Sequence, residues 1–548
     1  ADIIATAVDT TTGTFSGEVD AASLDISGNI DVDGTTNLDV VDVDGAVNFA
    51  ADVTFADGAD IITASAGTSN FRAGVNAGNS ITSGGNYNTV VGDEAGTNIT
   101  TGDSNIAVGY EAAKSLSTGT NNVAVGYTAG DAIVDGNNNI AIGKNALGAE
   151  VSGSLNVAIG SNALAAQNEG GDAYNIAIGH SAGLSVSTGV SNTFIGGLAG
   201  DALDTGGFNV AVGRSTLTTD VKGSKSTAIG FGTLRAQTFA GATDTLNTAV
   251  GFEAGNDITS GINNVIIGAL TGDALSDADN NVAVGQSALT TDTKGNKSTA
   301  VGHSALEAQN FTSSTNTFNT GIGSDAGKAI QTGVKNTIIG SSAGDNITTG
   351  SENTIVGYNS GTVVGGGSNT ILGSENSNSS TTVSNEIIIG RAATGSGTST
   401  FTIGIGDTDV QISIDGSDTS WSATSDERLK HNINTLGIGL DFINEIRPVS
   451  YEWKEKKDVD ESLGRYYEKD STNPCRGSGG IHYGLIAQEV KTVIDKYSLT
   501  GNHHIWKEGV DGFQVVGIGN VMPMLLKAVQ ELSAKNDALE ARIKTLEG

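Results

Sequence analysis

Few residue types in this sequence could do covalent chemistry, and the pair with a suggestive spacing sits near its end. Ser425 and Lys430 lie five positions apart in SDERLKHNI, residues 425–433. A serine hydroxyl is a poor nucleophile until a base takes its proton, and a lysine serves as that base once desolvation lowers its pKa. Five residues put two side chains on opposite faces of a strand and about 140° apart on a helix, so neither regular element unites them. Either the segment turns sharply or packing between chains completes the site. On residue types alone, such a pair is commonly two surface side chains.

Other chemistries find no support. GSDAGK (Gly323 to Lys328) has the wrong spacing for a phosphate-binding loop and no following Ser or Thr. No GxGxxG opens a helix after a strand, no GxSxG reads as a strand-to-helix elbow, and HExxH does not occur. His503 and His504 are adjacent and lack a spaced partner, so no metal and no cofactor is expected. Cys475 is the only cysteine, which excludes an internal disulfide. A glycan-cleaving groove needs paired carboxylates, but residues 1–420 scatter their acids among turns and contain no Trp.

The elements that position Ser425 and Lys430 divide the chain. The body to residue 424 holds 12 Lys and Arg against 42 Asp and Glu, a net of −30, whereas residues 425–548 hold 16 against 19. All three prolines, the cysteine and both methionines follow residue 440, which places a domain boundary near 424. An acidic body lacks the clustered cations that nucleic acid requires. No stretch reaches the roughly 18 apolar residues of a membrane span. The start, ADIIATAVDTTTG, lacks a basic segment and an apolar run, so no secretory signal is expected. With 78 glycines and only 5% aromatic residues, the apolar burial must be spread along the molecule rather than gathered in one core.

A repeat shows how. Asn or Ser, a small or apolar pair, Ile or Val, then Gly recurs from residue 88 to 391, as in NTVVG ending at Gly92 and NVAVG ending at Gly126. There are 18 copies, most at the even step that runs from Gly92 to Gly109 to Gly126, with longer intervals before Gly179, Gly251 and Gly323. TLTTDVKGSKSTAIG, ending at Gly230, returns as ALTTDTKGNKSTAVG, ending at Gly302. Each copy reads as a short strand, a small second element and a polar turn. No copy buries its apolar face alone, so the copies stack, and the recurrent Asn is expected to form an internal amide ladder. The usual step of seventeen residues makes a loop of roughly 56 Å perimeter, and 18 coils a rod of roughly 85 Å. The word NxAIGxxA resembles the head repeat of trimeric autotransporter adhesins, which implies a parallel β-roll with three rolls side by side. Whether coils close within one chain or wind among three stays open.

The expected architecture is therefore mainly β. Residues 1–84 read as an N-terminal β stalk and attachment region, 85–400 as the solenoid, and 401–424 as a distal β cap with Trp421. Residues 425–548 read as a small α+β domain ending in a coiled-coil helix near 521–547. The DVDG words at Asp31 to Gly34 and Asp42 to Gly45 lack the remaining ligands of a calcium loop and read as solvated turns. Asp458 to Gly480 reads as a loop insertion.

Three words of the tail, SDERLKHNI, GLIAQEV and PMLLKAVQEL, come in the order found in the intramolecular chaperone domain of phage tailspikes and fibres, peptidase family S74. The resemblance spans residues 425–548. It implies a homotrimer, templated folding of the preceding β-structure, and self-cleavage immediately before the serine, here the Thr424–Ser425 bond. The family's nucleophile and base map onto Ser425 and Lys430. Asp426, Arg428 and His482 fall within the matching words and are supporting candidates, each with an ordinary structural reading beside it. In the last helix Leu525, Val529, Leu532, Asn536, Leu539, Ile543 and Leu546 alternate spacings of four and three, the seam of a trimer clamp, with polar Asn536 at an a position. The implied protein is a virion component assembled in the host cytoplasm. Its partners are phage tail or baseplate proteins and a glycan or protein receptor on the host surface. A glycan-degrading tailspike, a bacterial trimeric adhesin and a pure spacer are the competing readings.

Overall fold

The computed structural model describes residues 65–548 except 362–364, 407, 417–421, 424, 478, 500–503, 510 and 511. The stalk segment to residue 64, both DVDG words, Trp421, Thr424 and His503 lie outside the described residues.

The chain divides into two units, the first running to Asp407 with Ser413–Ser417, the second comprising Thr408–Ile412 and Asp418–Gly548. The first is a parallel β-solenoid of about 20 turns. Three-residue strands of successive coils pair in register within one chain: Val123 with Ile140, Ile140 with Val157. The coils thus close within a chain rather than among three. The ladder extends beyond the 18 copies at both ends. Phe71–Ala73 pairs with Thr89–Val91, and Ile387–Arg391 with Thr400–Ile405, so a coil begins inside the region read as stalk and another lies inside the region read as cap.

The strand's middle residue, Ala in many coils, points inward. Ala107, Ala124, Ala141 and Ala158 are buried, and Leu116, Ile133 and their counterparts are buried with them in most coils. A narrow coil leaves little room for aromatic rings; among the described residues Phe194 is the one fully buried ring of this core. The strand's two outer residues face away from it. From Val91 to Ile403 the third strand position is Val, Ile or Leu in every coil. Many of them, including Ile178, Ile229, Ile322 and Ile389, stand more than a third exposed.

The Asn column is the amide ladder. Asn105 Nδ2 donates to Gly119 O at 2.9 Å across its own coil, while its Oδ1 accepts from Asn122 N at 2.9 Å in the next. The same pair of bonds recurs at Asn122 and again at Asn336 and Asn353. Asn122→Leu strips a partner from buried Gly136 O and from Asn139 N. At about 1–3 kcal/mol for each unsatisfied group, it should lower the melting temperature by several degrees in calorimetry.

The glycine ending each strand has φ near +135° and its Cα lies against the next coil. At Gly230, φ is +135° and an added Cβ would stand 2.1 Å from Gly251 O. Gly230→Ala should cost more than the roughly 1–3 kcal/mol of backbone strain alone, because the coils must also separate. A fall in the body's melting temperature larger than that of Asn122→Leu is expected.

In the second unit, Thr408–Ser413 pairs antiparallel with Ser422–Ala423. Helix α1 (Leu440–Glu445) leads to the strand Val449–Tyr451, which pairs antiparallel with His482–Gly484. Helix α2 (Ala487–Lys496), a hairpin of Trp506–Glu508 with Gln514–Val516, and helix α3 (Met522–Glu547) follow. Phe442, Ile446, Val490, Val493, Ile494 and Ile505 form its core. The stretch read as a loop insertion holds two short 3-10 segments, Lys456–Asp458 and Glu461–Tyr466, and a bridge between Glu455 and Pro474. Of α3 only Ala528 is buried.

Candidate active site

Ser425 and Lys430 meet because the chain turns between them. Glu427–Leu429 form a single 3-10 turn, with about three residues per turn rather than 3.6. Asp426 caps it: its Oδ1 accepts from Arg428 N at 2.9 Å. The Arg428 guanidinium returns to the same carboxylate through Nε at 3.0 Å and Nη2 at 2.6 Å. That guanidinium holds the Asp426 carboxyl below its ordinary range, aided by the backbone bond. The turn ends with Lys430 N on Glu427 O at 3.0 Å, and Lys430 is extended. Its side chain then doubles back, placing Nζ 2.5 Å from Ser425 Oγ and 3.2 Å from Ser425 O.

Four of the five sequence candidates therefore share one turn. Asp426 and Arg428 act on its shape, as cap and clamp, rather than touching the Ser425 hydroxyl. His482 is positioned elsewhere in the domain, stacked on Tyr451 with centroids 5.6 Å apart and tilted 6.2 Å from Trp453. Ser425 and Lys430 are both exposed in the single chain, and so are the apolar neighbours Leu429 and Ile433, at 74% and 63%.

Three polar contacts that single-row sequence reading passes over tie the helices of the domain together. Arg447 makes a two-pronged pair with Glu489 of α2, one bond at 3.0 Å. Lys496 binds Glu445 at 2.6 Å, joining α2 to the end of α1. Glu531 of α3 accepts from Leu440 N at 2.8 Å, which caps α1 where Gly439 offers no side chain. The signals were present, an acid one turn into a helix and a helix start without a capping residue, but the two partners stand far apart in the sequence.

Glu531 carries a pH dependence. The Leu440 N–H holds its carboxyl below the ordinary glutamate value, helped by Lys527. A depressed folded pKa gives stability that is present above the ordinary glutamate pKa and lost as pH falls through the folded value. The domain's melting temperature should drop on acidification below the usual carboxylate range, and Glu531→Gln should flatten that part of the profile.

Among the described residues no group of His, Cys, Asp and Glu is arranged to hold a metal ion. No curated protein and no solved structure matches the chain. Residues 425–499, a span that stops short of α3, match the family model Peptidase_S74, chaperone of endosialidase. The chain thus carries a chaperone-of-endosialidase domain after a β-solenoid body, the organisation of a tailspike- or fibre-like protein.

Proposed function

We propose that this is a trimeric virion fibre protein of a bacteriophage. In this reading the solenoid reaches a receptor on the host surface, and the C-terminal domain templates assembly before cutting itself off at Thr424–Ser425. The observation that carries it is the 2.5 Å contact of Lys430 Nζ with Ser425 Oγ inside the segment that matches the chaperone family.

The chemistry follows from which bond lies within reach. Lys430, in its neutral form, takes the Ser425 hydroxyl proton. Ser425 Oγ attacks the carbonyl carbon of residue 424, closing a five-membered ring. Collapse breaks the C–N bond, returns the proton to the departing nitrogen and leaves an ester. Water hydrolyses the ester, freeing a carboxylate at residue 424 and the Ser425 hydroxyl at a new N-terminus. A lysine becomes such a base through desolvation, and Lys430 is exposed in the single chain. Covering Leu429, Ile433 and Lys430 by neighbouring copies supplies that desolvation, so cleavage waits for assembly.

Two apolar surfaces support three copies. One is the outward Val, Ile and Leu column of the solenoid, since a strand that is apolar on both faces belongs to a sheet covered on both. The other is the α3 seam, with Leu525, Val529, Leu532, Leu539, Ile543 and Leu546 all exposed. Virion localisation, attachment to tail or baseplate proteins and receptor binding belong to the same reading. Light scattering of freshly expressed full-length protein, with a parallel denaturing gel, tests it. Three chains per particle and a released fragment are expected; one chain per particle at high concentration overturns it.

A further inference from the structure

One column of the solenoid core changes character three times. Eleven positions after the ladder Asn stands a buried Ile, Leu or Val in most coils, as at Leu116, Ile133, Leu203, Ile258 and Leu275. At three coils it is instead an acid, Glu150, Asp220 or Asp292, and in each following coil it is a glutamine, Gln167, Gln237 or Gln309. All six are fully buried.

The later two pairs are closely made. Asp220 accepts from Gln237 Nε2 at 2.6 Å and from Gly223 N at 3.0 Å. Asp292 accepts from Gln309 Nε2 at 2.5 Å and from Gly295 N and Phe311 N at 3.1 Å each. Glycine is required beside them, since a Cβ at Gly223 or Gly295 would stand 2.1 Å from the carboxylate. Each glutamine also enters the amide ladder: Gln237 Oε1 accepts from Asn247 at 2.9 Å and Gln309 Oε1 from Asn319 at 2.8 Å. Glu150 and Gln167 occupy the same two places without bonding each other: Glu150 accepts from Gly153 N at 2.6 Å, and Gln167 donates to Asn156 Oδ1 at 3.3 Å and accepts from Asn175 at 2.8 Å. The glutamine coils are also the long ones, Gly160 to Gly179, Gly230 to Gly251 and Gly302 to Gly323.

We infer that these acid–glutamine pairs are register pins, which force coil to stack on coil in sequence order. The repeat creates the problem they solve. Nearly every coil offers the same Asn, strand and Gly, with Ser226 and Ser298 in the Asn position of two, so the ladder bonds form almost as well when a coil is skipped. Looping out one coil costs only a slowly growing closure entropy. Skipping the coil of Gln237 would set Ile258 on Asp220, leaving the buried carboxylate oxygen that Gln237 satisfies against a methyl group with no donor. In the native order both oxygens of that carboxylate are bonded. Pins spaced four coils apart reject slips of one, two and three coils. The later two coincide with the duplicated LTTD segments, so that duplication carried its own pin.

Replacing both members by the residue typical of the column separates register from stability. The test uses the full chain with Cys475→Ser and with Asp220→Ile and Gln237→Ile, beside the pinned chain. One cysteine pair, Thr227→Cys with Thr248→Cys, reports native order, because those strands are direct neighbours. A second, Val210→Cys with Thr248→Cys, reports the skip, because both positions pair with Thr227 from opposite sides. Two coil steps, about 10 Å, exceed disulfide reach in the native order. After refolding and oxidation, peptide mapping should show a several-fold rise in the 210–248 bridge in the unpinned chain, with a melting temperature of the native fraction no lower than that of the pinned chain. Native bridging at pinned levels would overturn the inference. So would an unpinned chain that does not fold or melts lower, because the pairs would then serve stability rather than order.

Discussion

The Ser425→Ala chain should run on a denaturing gel as one intact band, whereas the unaltered chain should yield a body ending at residue 424 and a fragment of residues 425–548. Removing the hydroxyl removes the atom that forms the ester, and among the described residues no second hydroxyl bonds to Lys430 Nζ in place of Ser425 Oγ. Loss of a nucleophile or its base in a cooperating unit costs about 10^4-fold to 10^6-fold in rate, so on the timescale of expression the bond survives. Lys430→Met should be as inert. Lys430→Arg is the sharper control. It preserves charge and hydrogen bonding but cannot give up its proton in proteins, so cleavage stops while trimer mass and melting temperature stay near normal. Asp426→Asn differs in kind. It weakens the clamp on Arg428 and the cap of the turn, so it should slow cleavage without abolishing it. Cleavage in Ser425→Ala at the ordinary rate would remove the dyad from consideration.

The two units were legible to different depths, for physical reasons. The solenoid was read almost whole because its signal is repeated: a strand of three residues is invisible once, but not when its Gly returns at the same interval in coil after coil. Its ends were missed because end coils break the word. Arg72 occupies the inward position of the first strand, where its Nε bonds Ala77 O at 2.7 Å, and the last rung, Thr400–Ile405, has no Asn before it. The pins were missed because, along the row, Asp220 in LTTD looks like a turn acid; only column alignment shows that the same position is a buried Ile, Leu or Val in most coils. Burial pushes the carboxyls of Glu150 and Asp220 upward, a cost that ordinary surface acids do not carry. At the dyad, the five-residue spacing required a sharp turn, but the kind of turn depends on Asp426 serving as cap and clamp together. Long-range polar contacts such as Glu531 to Leu440 leave no local trace at all.

The α3 seam should decide whether the chain assembles. In a single chain Leu532 and Ile543 are 56% and 51% exposed, so their replacement removes almost nothing from the fold of one copy. In a three-stranded coil each such side chain, buried once per chain, contributes about 1.5–3 kcal/mol, and one layer contributes three times that. Leu532→Glu with Ile543→Glu forfeits two layers and sets like charges against each other. The expected result is a particle mass of one chain at micromolar concentration, with helical circular dichroism of the C-terminal domain retained by the α1 packing around Ala528 and Glu531. Cleavage should fall with assembly, since an uncovered Lys430 lacks its desolvation. Asn536 tests specificity from the other side. A buried polar residue at an a position fixes oligomer state at a cost in stability, so Asn536→Ile should raise the melting temperature while producing a mixture of masses. If the doubly charged variant still sediments as three chains and still cleaves, the seam is not the clamp, and the apolar outer column of the solenoid must hold the trimer alone.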